Sequence, residues 1–138
     1  MKLRQISRRV TQLYEAELAR EGLRSTQYSL LSTVLAMGPA RPADLALALT
    51  MDRSTLTRCL RPLIAAGWVR IGAGEDGRSR AVSITAAGRA KRDEATRAWQ
   101  RAQRGLVRTL GAARVDALHA LVDEALALLG NTPGDGDA

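Results

Sequence analysis

Six residues in one short stretch, Arg53, Ser54, Thr55, Thr57, Arg58 and Arg61, carry donor groups of the kind that grip phosphates and base edges. The arginine fork is planar and bidentate toward phosphate and guanine, while Ser and Thr hydroxyls reach phosphates or bases. Downstream, a Gly-rich segment, Gly72-Ala73-Gly74-Glu75-Asp76-Gly77-Arg78-Ser79-Arg80, ends on two arginines of the same strand parity. An Arg on a narrow hairpin can enter the minor groove, where the potential is most negative. Asp76 would repel phosphate, so its expected work is to orient Arg78 by a charge-assisted bond. Either feature alone also suits an ordinary solvated surface. Side by side, a polar helix face and a basic hairpin fit adjacent grooves of duplex DNA.

The elements that must position these side chains follow from periodicity and punctuation. Leu56, Leu60, Leu63 and Ile64 form the inward stripe of a helix from Arg53 to about Ala66, with Asp52 at its N-cap and Gly67 at its end. Pro62 lies inside that helix and is expected to bend it. Ahead of it, Pro42 opens a short helix reaching Leu49, and Thr50-Met51 makes the turn between supporting and reading helices. Strands are expected at Trp68–Ile71 and Ala81–Thr85. Tyr28 to Met37 reads as a further helix, capped by Ser25 or Thr26, with Leu30, Leu31, Val34 and Leu35 inward. The compact centre therefore spans residues 24–85.

Outside that centre lie three amphipathic helices. The first carries Leu3, Ile6, Val10, Leu13 and Leu18 and ends near Glu21-Gly22. Thr85 caps a long helix to Leu110 with Ala95, Ala98, Trp99, Ala102, Leu106 and Leu110 on one stripe. A last helix, Ala113 to Leu129, carries Val115, Leu118, Val122, Ala125 and Leu129. Stripes with no local partner imply self-association, so residues 1–23 and 86–130 are read as a homodimerisation region; an intrachain three-helix bundle is the alternative. The Gly-, Pro- and Asp-rich end, residues 131–138, is expected to be disordered. The fold class is mainly α: a winged helix-turn-helix with flanking dimerisation helices.

Composition agrees with a polyanion partner. The net charge is +7 over 138 residues, 19 of the 21 basic residues are Arg, and ten basic residues face four acidic ones between Arg41 and Arg92. An anionic membrane surface is the second choice, but no apolar run approaches the roughly 18 residues of a span. One cysteine, Cys59, fits a reducing cytosol, and a cytoplasmic location is expected. No paired nucleophile and base and no phosphate-cradling Gly loop marks an enzyme. A single histidine, His119, builds no metal site, and no cofactor is expected. Cys59 lies beside Arg58 and near Arg61, whose charge favours a thiolate; it is either a redox or electrophile sensor or a small packed side chain. A winged-helix protein-interaction module is the alternative of another class.

The runs Asp44-Leu45-Ala46, Asp52-Arg53-Ser54-Thr55-Leu56-Thr57-Arg58, Leu63-Ile64-Ala65-Ala66-Gly67-Trp68-Val69 and Asp76-Gly77-Arg78-Ser79-Arg80-Ala81-Val82-Ser83-Ile84-Thr85 resemble the MarR family of bacterial winged helix-turn-helix regulators. The Asp-x-Arg signature at Asp76 and Arg78 is the most specific element. The resemblance implies a homodimer on pseudo-palindromic promoter DNA, usually a repressor, released by a small ligand or oxidant. It places the helix from Arg53 in the major groove and Arg78 in the minor groove. It also implies a crevice for an aromatic or anionic effector, with Tyr14, Tyr28 and Trp99 as candidate walls and Arg8 or Arg9 as a candidate anion partner. Three departures stand out. The chain starts almost inside its first helix, Cys59 stands where Asn is common, and Gly77 replaces a more usual charged residue.

Overall fold

The computed structural model describes residues 1–74 and 76–130. Along them run α1 (Lys2–Ala19), α2 (Ser25–Met37), α3 (Pro42–Ala48), α4 (Arg53–Ala65), β1 (Val69–Ala73), β2 (Arg80–Ile84), α5 (Ala86–Leu110) and α6 (Ala112–Gly130). The disorder expected for 131–138 falls outside the described residues, as does Glu75. The result is the mainly helical winged helix-turn-helix anticipated from the residue pattern.

One apolar core joins α1, α2, α3, α4, the hairpin and the first half of α5. Leu18, Leu30, Leu31, Val34, Leu45, Leu56, Leu63, Val69 and Val82 are fully enclosed there. Each such side chain contributes about 1.5–3 kcal/mol of burial, which is what fixes α4 on its support. The stripe of α4 is narrower than its sequence suggests. Leu56, Leu60 and Leu63 are buried, but Ile64 is 40% exposed, because eight residues of 100° each carry it about 80° round from Leu56. α4 runs through Pro62, whose side is exposed.

β1 and β2 pair antiparallel, from Val69 opposite Ile84 to Ala73 opposite Arg80. A third short edge, not expected from the sequence, comes from the α2–α3 connector. The Ala40 N–H donates to the Val82 carbonyl at 3.0 Å, and the Val82 N–H returns the bond at 2.8 Å. This ties the root of the hairpin to the end of α2.

The caps are partly local and partly not. Asp52 caps α4 and Thr85 caps α5, as expected. α2 instead begins three residues before Tyr28, with Arg24 at its N-cap and the Gln27 side chain accepting from the Arg24 N–H at 2.9 Å. The α1 residue Glu15 completes that terminus by accepting from the Ser25 N–H at 3.2 Å and from the Ser25 hydroxyl. No local pattern announces a cap supplied from another helix.

α5 buries Ala95, Ala98, Ala102 and Leu106, and α6 buries Val115 alone. Most of the apolar stripe read along α6 is left uncovered by this chain: Val122 is 45% and Leu129 71% exposed. The helix has little of its own chain to pack against beyond its first turns. Arg101 of α5 ties down α1, donating to Glu17 and Glu21 at 3.0 Å each.

Candidate nucleic-acid interface

At the head of α4 the Asp52 carboxylate accepts from the Thr55 N–H at 2.7 Å and the Ser54 hydroxyl at 2.8 Å. These bonds, the Thr55 backbone one foremost, pull its pKa down to about 2. The same bonds sort the candidate contact residues. Arg53, Ser54, Thr57, Arg58 and Arg61 are exposed, and Thr55 is half-buried. The Ser54 hydroxyl is held by the cap, the Thr57 hydroxyl donates to the Arg53 carbonyl at 2.9 Å, and Arg58 reaches Thr55 Oγ1 at 3.3 Å. The three arginines are therefore the long, solvent-facing donors of α4.

The turn leading into α4 carries a strained residue. Thr50 has φ +54°, a left-handed conformation that β-branched side chains rarely adopt. The tight α3–α4 corner requires it, since the Met51 N–H closes back onto the Ala46 carbonyl at 2.8 Å. Nothing in the type of residue at position 50 signals a left-handed turn.

The hairpin tip is organised around Asp76. Its Oδ1 accepts from the Arg78 N–H at 3.0 Å, the Ser79 N–H at 3.0 Å and the Ser79 hydroxyl at 2.9 Å. Its Oδ2 faces Arg41 Nη2 of the α2–α3 connector at 3.8 Å. Hydrogen bonding from Ser79 and Arg78, with Arg41 adding attraction, holds this carboxyl near pKa 2. Asp76 thus bonds the Arg78 backbone amide rather than its guanidinium, and its ionic partner is Arg41. Gly77, at φ +70°, makes the turn that lets one oxygen collect these bonds. Arg78 and Arg80 project exposed from the tip, and Arg70 is exposed on β1. Arg41 was not among the residues expected from the sequence, because only the tertiary fold brings it to Asp76; Arg70, opposite Ser83 near the root of the hairpin, was not expected either.

The MarR family model matches residues 23–79. The transcriptional regulator MosR of M. tuberculosis, solved in complex with DNA, is 30% identical over 93% of this chain and 95% of its own, with a TM-score of 0.68. The chain belongs to the MarR family. A probable transcriptional regulator from Pseudomonas aeruginosa is similar at 27% identity over 87% of this chain and 93% of its own, with a TM-score of 0.75. A cysteine-to-serine mutant of E. coli MarR complexed with operator DNA is similar in fold, with a TM-score of 0.79 at 23% identity over 90% of each chain. No curated protein matches the chain.

A second site candidate in this MarR-family chain lies between α1, α2 and α5. Tyr14, Tyr28 and Trp99, the three expected walls, line one cavity of about 230 Å³ with Val10, Thr11, Leu18, Ser25 and Ser29. The Tyr14 and Trp99 rings are 5.6 Å apart between centroids. Arg8 and Arg9 are not among its lining residues; both are exposed on α1. Cys59 is half-buried on α4, packed against the core and bordering a cleft with Arg24, Thr26, Gln27, Leu30 and Pro62. His119 is exposed on α6. Among the described residues, no group of three His, Cys, Asp or Glu side chains is placed to hold a metal, and no helix is long and apolar enough to cross a membrane.

Proposed function

We propose that this chain is a homodimeric, sequence-specific DNA-binding regulator that represses from pseudo-palindromic promoter DNA in the cytoplasm, has no enzymatic activity, and is released by a small ligand. The observation that carries the reading is the pairing of two exposed basic elements on one folded unit with a common core. α4 offers Arg53, Arg58 and Arg61 to the major groove, supported by Ser54, Thr55 and Thr57. The tip offers Arg78 to the minor groove and Arg80 to the flanking phosphates. Asp52 and Asp76 spend their charge on backbone amides, so neither faces the DNA as a bare anion. Relatives of this fold, MosR and the E. coli MarR mutant, are described bound to DNA. In this division of labour residues 24–85 read DNA, while residues 1–23 and 86–130 hold two copies together.

The dimer half of the proposal rests on the apolar side chains left outside. Leu3 and Ile6 on α1 and Leu121, Val122, Leu126 and Leu129 on α6 are all exposed in a single chain. A soluble protein covers such a face, and a second copy does so with two-fold symmetry.

The test is a mobility shift on the promoter adjoining its own gene and on fragments selected from its genome, at several salt concentrations. Binding should weaken steeply with salt. Arg78→Ala should lower affinity at least tenfold and reduce the salt slope by about 2, one contact per wing. Sedimentation should show its dimer intact. No salt-dependent binding to any fragment refutes the reading.

The aromatic-lined cleft supports a second part of the proposal, that the releasing ligand binds between α1, α2 and α5. A ligand there touches α2, whose far end is tied through Ala40 to the root of the wing.

A further inference from the structure

Arg41 occupies a position for which its side chain is a poor choice. It is the N-cap of α3, and no side chain caps that helix. Ser, Thr, Asp and Asn serve at such positions because an oxygen must accept from the first amides, whereas a guanidinium only donates. The helix goes without a cap, so the use of this arginine lies elsewhere.

Its backbone is fixed with respect to the hairpin. Pro42 restricts the preceding residue to extended backbone, and Arg41 stands at φ −68°, ψ 142°. Its neighbour Ala40 exchanges two hydrogen bonds with Val82 of β2. An open cleft of about 450 Å³ lies beyond, lined by Arg41 and Asp44 on the α3 side and by Asp76 and Arg80 on the hairpin side. Across it the Arg41 guanidinium faces Asp76 Oδ2 at 3.8 Å. Among the described residues, no other ion pair or side-chain hydrogen bond engages Arg41.

The two oxygens of Asp76 are used differently. Oδ1 takes all three tip bonds, from the Arg78 N–H, the Ser79 N–H and the Ser79 hydroxyl. Oδ2 faces Arg41. Without that guanidinium, the tip that carries Arg78 toward DNA also carries an uncompensated negative oxygen, which phosphates repel. With side chains 65% and 49% exposed, the pair contributes little to global stability. Its effect falls on the placement of a loosely held tip. Because α3 buries Leu45 and Ala46 in the core that seats α4, a brace from the start of α3 to the tip sets one DNA-reading element against the other.

We propose that Arg41 is a positioning residue for DNA recognition, compensating Asp76 and bracing the Arg78 tip against α3 in place of capping its own helix. The proposal rests on the regulator reading above, and in it Arg41 acts through Asp76 rather than on a phosphate of its own.

Arg41→Ser separates the two uses of the position, because it removes the guanidinium and supplies a capping oxygen. Urea midpoints without DNA are measured on the full-length protein, beside affinities for the fragment that the parent binds best. The midpoint should equal or exceed the parent's, while affinity falls roughly tenfold. Hydroxyl-radical protection of the minor groove should fade, and dimethyl sulfate protection of major-groove guanines should remain. Arg41→Lys, which keeps the charge, should recover affinity to within about threefold of the parent. In an Asp76→Asn background, where the amide oxygen can still accept the tip bonds, Arg41→Ser should cost less than about twofold. Unchanged affinity of Arg41→Ser overturns the proposal. So does an equal loss in the Asp76→Asn background, which makes Arg41 a phosphate contact in its own right. A midpoint that falls along with affinity overturns it too, since Arg41 would then be a structural residue only. A parent that binds no fragment removes the regulator reading as well; a parent that binds beside an unaffected variant removes this proposal alone.

Discussion

Gly88→Ala sets two sizeable effects of opposite sign against each other. Gly88 is the third residue of α5, and its N–H donates to the capping Thr85 hydroxyl at 3.0 Å. By helix propensity alone the exchange should stabilise by about 0.8–1 kcal/mol. A Cβ at this position, however, would lie 1.9 Å from the Trp68 carbonyl oxygen and 2.8 Å from Ile84 Cγ1. Backbone must part by about 1.5 Å to restore ordinary contact at 3.4 Å. The Trp68 carbonyl cannot move freely, because it accepts the Thr85 N–H at 3.0 Å. Overpacking against such a partner costs roughly 3 kcal/mol, and the strained hydrogen bond about 1 more. The net expectation is destabilisation by about 2–4 kcal/mol. Gly105→Ala in the same helix is the control, since its Cβ would meet Leu13 and Arg108 only at 3.9 and 3.8 Å. It should stabilise by about 0.5–1 kcal/mol. Urea unfolding at one fixed protein concentration measures both. Gly88→Ala proving as stable as the parent would refute the close approach of α5 to the end of the α4–β1 turn.

Three further expectations concern acid, strain and assembly. Asp52 and Asp76 have folded pKa values near 2, against about 3.9 unfolded, so their contribution is complete above pH 4 and is lost as pH falls toward 2. Urea midpoints between pH 5 and 2 should flatten in the Asp52→Asn/Asp76→Asn double variant, and an unchanged slope counts against both cap geometries. Thr50→Asn, which tolerates φ +54°, should raise stability by about 0.5–1 kcal/mol in the same assay; a loss would place Thr50 outside the left-handed region. Leu126→Glu alters a side chain 64% exposed in one chain, so it should leave helix content intact yet shift sedimentation from dimer to monomer. A stable dimer would remove α6 from the proposed interface.

Features encoded within a few residues were legible before the structure. Asp52 and Thr85 cap helices as their positions suggest, because an N-cap acts only on the next three residues. Leu56, Leu60 and Leu63 face inward because helical periodicity is local, while Ile64 fell on the margin of that stripe. Features that depend on distant chain were not legible. Glu15 caps a helix it precedes by ten residues, and Arg41 meets Asp76 only because the Ala40–Val82 bridge brings the connector to the hairpin. A one-residue bridge has no period to detect. The α6 stripe was visible, but which of its residues the chain itself covers was not, and only Val115 is buried.

Two kinds of force hold the two basic elements, and the proposed function inherits the difference. α4 is seated by Leu56, Leu60 and Leu63 in a continuous core, so its arginines are displaced only by changes large enough to disturb that core. The hairpin is seated by the buried Val69, Val82 and Ala81 along its strands, while its tip depends on bonds to one exposed carboxylate and an ion pair at 3.8 Å between half-exposed groups. Exposed pairs of that kind contribute little, so the tip belongs to the low end of the local stability range. The connector between them is the common mount: Ala40 bonds the hairpin root, Arg41 faces its tip, and both follow directly from α2, whose Tyr28 lines the aromatic cavity. A ligand that shifts α2 relative to α1 and α5 therefore acts first on the less firmly held element. On this reading release from DNA begins with the Arg78 tip and its minor-groove contact, ahead of any change in α4.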